Sequence, residues 1–250
     1  MFWPDVIDLK QFYATTLGEI ACESIRSSIR QIWPAAKGDV VLGIGFTHPY
    51  LLHGMENAER VISCMPAPQG VIHWPLDRPN LTLLGDEGEL PFADNSINRV
   101  LVVHALENSE QVRRMMQEVW RVLTPTGRVL VVVPNRRGIW ARSALSPFAN
   151  GRPYTFQQLR NLLFDNSLTP LQTRSALFFM PTRWKFLLRS AKYLDRLGRI
   201  FYRYFGGVIL MEAEKQIYAP TKQVRVQKYS SARIYAPAAK PVLNLKRNAD

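Results

Sequence analysis

Two glycines one residue apart, Gly43 and Gly45, close the apolar run VVLGIG and are followed by Phe46 and Thr47. A backbone without a Cβ at such a point can approach a ligand that a side chain would push away. In an open parallel sheet, ligands bind outside the carboxyl ends of the strands where the strand order reverses, and an early strand ending in Gly43, Gly45 and Phe46 would stand there. A sharp strand-to-helix turn explains the same glycines equally well. Other reactive types are sparse. Cys22 and Cys64 have neither CxxC nor metal-ligand spacing, so they read as buried small hydrophobes in a reducing compartment, and no metal site is expected.

The elements around this turn alternate. Apolar periodicity predicts a helix over 8–33, stopped by Pro34, and a second from Pro49 to about Asn57. Further helices are expected over Ser109–Leu123 and Thr155–Asp165, with Thr155 as N-cap. Strands are expected at 40–45, 60–65, 81–84, 98–103 and 127–134, then within PLQTRSALFFMP and GGVILMEAEKQIY. Strands without period-two alternation, separated by helices, argue a parallel sheet covered on both faces. The four-proline segment PAPQGVIHWPLDRPN reads as a surface loop, and RRGIWARSALSPFANGRPYT is long enough to serve a site or lid. At 250 residues and 47% hydrophobic composition, the chain can bury a sizeable core.

The segment LLGDEGELPFADNSINRVLVVHALENSEQVRRMMQEVWRVLTPTGRVLVVVPN, from Leu83 to Asn135, resembles the class I S-adenosylmethionine-dependent methyltransferases, especially their broad type 11 group. The likeness rests on Asp86 at a strand end, the turn LPFADNS, the segment VVHALEN, the helix with EVWRVL and the turn TPTG, in that order and spacing. It extends as fold to about residues 8–217. It implies an α/β, Rossmann-like methyltransferase fold: a doubly wound, mostly parallel seven-stranded sheet with helices on both faces. It also implies S-adenosylmethionine as cofactor and methyl transfer to an unidentified acceptor. By position, Asp86 is expected to accept from the adenine amino group and the backbone at Glu87 to complete recognition of the ring edge. Gly43, Gly45, Phe46 and Thr47 would line the cofactor. His104, at the end of the fourth strand, would face the sulfonium and the acceptor, orienting the acceptor or taking its proton. A strand-end histidine satisfied by a neighbour is an equal reading.

The chain departs from the family at two anchors. Gly43 stands where the family has an acid, Thr47 and Pro49 where it has further glycines, and the second strand ends at Cys64 and Met65 where a carboxylate normally grips the ribose. Two explanations stand: replacement contacts from Thr47, His48, Tyr13 or the loop holding Gln69 and His73, or a methyltransferase fold that no longer methylates. Trp140, in the long loop, is the candidate to line an acceptor pocket. Phe2, Trp3, Phe12 and Tyr13 read as core packing, with a cap over the cofactor pocket as the alternative.

The net charge of +12 is localised. Between Thr182 and Phe205 seven basic residues face Asp195 alone, and from Ala219 onward seven more face Asp250, which leaves the rest neutral. The expected organisation is a methyltransferase-like domain over 1–218, carrying a basic amphipathic lid helix over 183–205, and a basic, flexible tail over 219–250. Helix and tail suit an RNA backbone or an anionic membrane surface. No apolar run approaches a membrane span and MFWPDVIDLK is no signal peptide, so a soluble, cytoplasmic protein is expected. The alternative function is a catalytically inactive scaffold for RNA, membrane or a protein partner.

Overall fold

The computed structural model describes residues 3–51, 57–182, 184 and 205–217. Its elements are α1 (Val6–Tyr13), α2 (Thr16–Ile32), β1 (Val40–Gly45), α3 (His48–Leu51), β2 (Arg60–Pro66), β3 (Thr82–Gly85), β4 (Ile97–Val103), α4 (Val112–Val122), β5 (Leu123–Pro134), α5 (Phe156–Asp165), β6 (Leu168–Ala176) and β7 (Val208–Lys215). The expected basic helix over 183–205, apart from Trp184 and Phe205, and the tail over 219–250 lie outside the described residues.

The seven strands form one sheet in the order β3-β2-β1-β4-β5-β7-β6. Pairing is parallel from β3 through β5, and β7 runs antiparallel between β5 and β6. Strand order reverses between β1 and β4, so the carboxyl ends of these two strands flank the expected crevice. The inner strands are apolar throughout because both faces are covered. Val41, Leu101, Val103, Leu130 and Val132 face α2 on one side. Leu42, Ile44, Val100, Val102, Val129 and Val131 face α4 and α5 on the other. Successive residues therefore feed two cores, as the pleat requires.

The expected single helix over 8–33 is two helices. Thr15 ends the first by donating its hydroxyl to the Phe12 carbonyl at 2.7 Å and begins the second by accepting the Gly18 amide at 3.0 Å. A threonine hydroxyl that satisfies backbone groups on both sides favours a break over continuation. The break frees α1 to lie on the sheet edge while α2 packs on the sheet face.

The family-like block has a structural task. Arg121, in EVWRV, donates to the carbonyls of Leu90 at 2.9 Å and Phe92 at 2.8 Å and pairs with Asp94 at 2.6 Å. Glu118 accepts the Leu90 amide at 2.8 Å and pairs with Arg121 at 2.7 Å. The guanidinium and the carboxylate thus hold the turn LPFAD onto α4, and the two partners keep Arg121 charged.

One buried carboxylate ties the far side of the sheet together. Glu212, fully buried on β7, accepts from Trp33 Nε1 at 2.8 Å and Gln172 Nε2 at 2.7 Å, with Arg128 at 3.4 Å. Glu212→Ala should destabilise the fold by about 1–3 kcal/mol, because the Trp33 donor loses its partner in the core. Urea unfolding should show the lower midpoint at unchanged slope; an unchanged midpoint would show that water replaces the carboxylate.

Candidate active site

The turn after β1 is built by its own packing. A Cβ on Gly43 would lie 2.1 Å from the Thr47 hydroxyl oxygen, and one on Gly45 would lie 2.3 Å from the Val103 carbonyl. Gly45 also has φ +83°, in the region glycine favours. Both glycines are thus required by neighbouring protein atoms. Phe46 and Thr47 are buried, and the Thr47 hydroxyl has no partner.

What lies over the turn is apolar. Val6 and Leu9 from α1, Phe46 and Met65 form a separate cluster of buried side chains at the carboxyl tips of β1 and β2. Met65, near the carboxyl tip of β2, is fully buried there. At the tip of β3, Asp86 is exposed and accepts the Gly88 amide at 2.7 Å, while Glu87 is buried and accepts from the Ser109 hydroxyl at 3.1 Å. Cys64 beside them is pushed up to about 12, mainly by burial and then by Glu87 and Asp86, so its thiol stays protonated.

His104 follows β4 with φ +54°, an uncommon conformation for a residue with a Cβ. Its carbonyl accepts from Gln69 Nε2 at 3.0 Å and Asn108 Nδ2 at 3.3 Å. The ring is fully buried, its centroid 4.7 Å from that of Phe148. Nε2 lies 2.8 Å from the Tyr13 hydroxyl, which lies 2.8 Å from the Tyr50 hydroxyl. Nδ1 lies 3.5 Å from Glu107 Oε1. In the tautomer with hydrogen on Nδ1, the Nε2 lone pair receives the Tyr13 proton. Tyr50 then donates to Tyr13, and one direction runs along Tyr50, Tyr13 and His104, with Glu107 beside the far ring nitrogen. Neither carboxylate oxygen of Glu107 has a hydrogen-bond partner, although the residue is 1% exposed. Such a buried acceptor is costly where its only role is packing.

Beside this chain an open cleft lies between α1, α2, the turn after β1 and the loop after β2, and Tyr13, Phe46, His48, His73 and Trp74 are among its walls. Sequence reasoning named Tyr13, Thr47, His48, Gln69 and His73 as replacement contacts, and the fold gathers all five at this edge. It did not name Tyr50 or Glu107, although the spacing of Glu107 three residues after His104 was visible. Trp140 does not line an acceptor pocket: it is fully buried in the core, its indole donating to the Phe179 carbonyl at 2.7 Å. Among the described residues no group of three or more His, Cys, Asp and Glu is placed to hold a metal, and no helix is long and apolar enough to cross a membrane.

Tested against this geometry, the residues fit S-adenosylmethionine at the β3 tip, where Asp86 is accessible to an amine. They do not fit it at β1 and β2 as the family holds it. No side chain there offers an acid, and the tips are covered by Val6, Leu9 and Phe46.

Residues 39–131 match the family described as "Methyltransferase domain". A 63-residue stretch is 38% identical to a demethylmenaquinone methyltransferase of Corynebacterium glutamicum, covering 25% of this chain and 27% of that protein. The alignment thus spans about a quarter of that relative's length. In fold the chain is similar to a possible histamine N-methyltransferase of Thermotoga maritima, with a TM-score of 0.60, 16% identity, and coverage of 84% of this chain and 96% of that one. It is also similar to the 1,6-didemethyltoxoflavin N1-methyltransferase of Burkholderia thailandensis, solved with S-adenosylhomocysteine, with a TM-score of 0.51, 15% identity and coverage of 79% and 80%.

His48 makes a measurable prediction. Burial lowers its pKa from 6.5 to about 4. Between those values the unfolded chain binds a proton that the folded chain refuses, so this contribution is complete above pH 6.5 and is lost as the pH falls toward 4, about 3 kcal/mol in all. His48→Gln should flatten the pH dependence of urea stability across that window. An unchanged slope would assign the dependence to other groups.

Proposed function

We infer that this chain, a class I S-adenosylmethionine-dependent methyltransferase by its matched segment and its fold, transfers a methyl group to a small acceptor that loses a proton on methylation. The observation that carries this reading is His104, set at the tip of β4 inside the matched segment, with a hydroxyl on Nε2 and a carboxylate at Nδ1. The Glu107 carboxylate stands 3.5 Å from Nδ1, on the side of the ring away from Tyr13. Tyr13 occupies the accepting nitrogen, so a hydroxyl that replaced the Tyr13 hydroxyl at 2.8 Å would meet a base already oriented. The cofactor supplies the methyl group when bound. Asp86 and the backbone at Glu87 are our assigned contacts for its adenine. The two free, buried cysteines lead us to place the protein in the cytoplasm.

The apolar cover on β1 and β2 supports a second reading, in which the fold serves as a binding module and does not methylate. Its ligands would then be RNA or an anionic membrane, a reading supported by the basic charge over 183–205 and 219–250 in the sequence.

Calorimetric titration with S-adenosylmethionine and S-adenosylhomocysteine separates the two. Each missing polar contact costs about 0.5–1.5 kcal/mol, so the loss of two still allows saturable binding below millimolar cofactor. Asp86→Ala should then weaken binding by about 1.5–3 kcal/mol. No binding at millimolar cofactor would sink the enzymatic reading, and an unchanged affinity in Asp86→Ala would remove that carboxylate from the site.

A further inference from the structure

The cleft beside α1, of about 420 Å³, has walls of a particular chemistry. Tyr13 and Phe46 stack with ring centroids 5.6 Å apart and planes 15° from parallel. His48 and Trp74 stack at 4.9 Å and 4°. Phe46 and His48, 5.5 Å apart and tilted by 50°, link the two pairs at an angle along the cleft wall. Ile72 and Leu76 extend it to the mouth, where Leu76 is 80% exposed. Flat π faces and aliphatic edges recognise a flat ring, and the volume suits a ligand of one to three rings.

The charged groups around the cleft come from three elements and one loop. Lys10 and Tyr13 belong to α1, Glu19, Cys22 and Arg26 to α2, His48 to α3, and His73 to the loop after β2. Burial keeps His48 neutral at ordinary pH, the Cys22 thiol is raised to about 11, and the Tyr13 phenol is raised well above its usual range. Lys10 and Arg26 therefore stand against Glu19. Arg26 donates to the Pro49 carbonyl at 2.8 Å and pairs with Glu23 at 3.4 Å, while Lys10 is exposed at the rim. With Arg26 engaged by Glu23 and the Pro49 carbonyl, Lys10 is the exposed cation at the rim of a largely apolar surface.

We propose that this cleft binds a flat aromatic compound bearing one acidic hydroxyl, taken in its ionised form, with the ring against Phe46 and Trp74 and the charge toward Lys10. Calling that compound the methyl acceptor rests on the methyltransferase reading; its binding does not. Tyr13 connects the two, since its ring lines the cleft and its hydroxyl joins the chain to His104.

The test uses the full chain without cofactor and 7-hydroxycoumarin, whose neutral and ionised forms absorb at different wavelengths. Saturable binding is expected, with the ionisation midpoint of the bound probe lower by about one pH unit, a tenfold preference for the anion. Lys10→Glu, at an exposed position, should weaken the ionised form about fivefold or more. Phe46→Ala should weaken both forms at least about tenfold; if that variant does not fold, the exposed Leu76→Asp carries the same comparison. No binding at millimolar probe, equal affinity for the two forms, or indifference to Lys10→Glu and to the apolar substitution would each overturn the proposal. Because cofactor is absent, coumarin binding beside a failed cofactor titration would uphold the cleft and sink only the enzymatic reading. Cofactor binding with no coumarin binding would overturn the ligand class alone.

Discussion

A fully buried methionine at the tip of β2 sets the character of the whole carboxyl edge. A carboxylate at Met65 would have to be solvated or paired, and either demand would keep α1 away. The thioether makes no such demand, so Val6 and Leu9 close over it and Phe46 packs beside them. Tyr13, one turn beyond Leu9, is then carried to His104, 91 positions away in the chain. The apolar cover on β1 and β2 and the tyrosine on the histidine are thus consequences of one packing arrangement.

The same arrangement divides the edge into two regions. Above β1 and β2 the surface is sealed by aliphatic side chains, whereas on the other flank of α1 it opens into aromatic walls with a cationic rim. Tyr13 belongs to both regions. Its ring is part of the open wall and its hydroxyl part of the buried chain, so any ligand that shifts the ring also changes what His104 bonds to.

The block that carries the family resemblance is mostly scaffold. Glu118 and Arg121 clamp the turn LPFAD, and Ser109 holds Glu87, so these residues fix where β3 ends relative to β4. Their contacts join α4 to the turn before β4, about thirty positions back along the chain. The clamp shares no residue with the turn after β1.

The sequence by itself determined the strands, their alternation with helices, the family-like block and the absence of acids at Gly43 and Met65. Each of these follows from residue type and near-neighbour spacing, since periodicity, capping and turn chemistry act within a few residues of one another. It misjudged the first helix, where the Thr15 hydroxyl competes successfully for the backbone, and it placed Trp140 at a pocket although the indole is sealed in the core. Only the tertiary structure decided that α1 covers β1 and β2, that Tyr50, Tyr13 and His104 form one hydrogen-bonded chain with Glu107 beside it, and that two stacked aromatic pairs line a cleft. Those outcomes depend on side chains from four or more segments competing for one volume, and the winner of that competition is written in no single stretch of the chain.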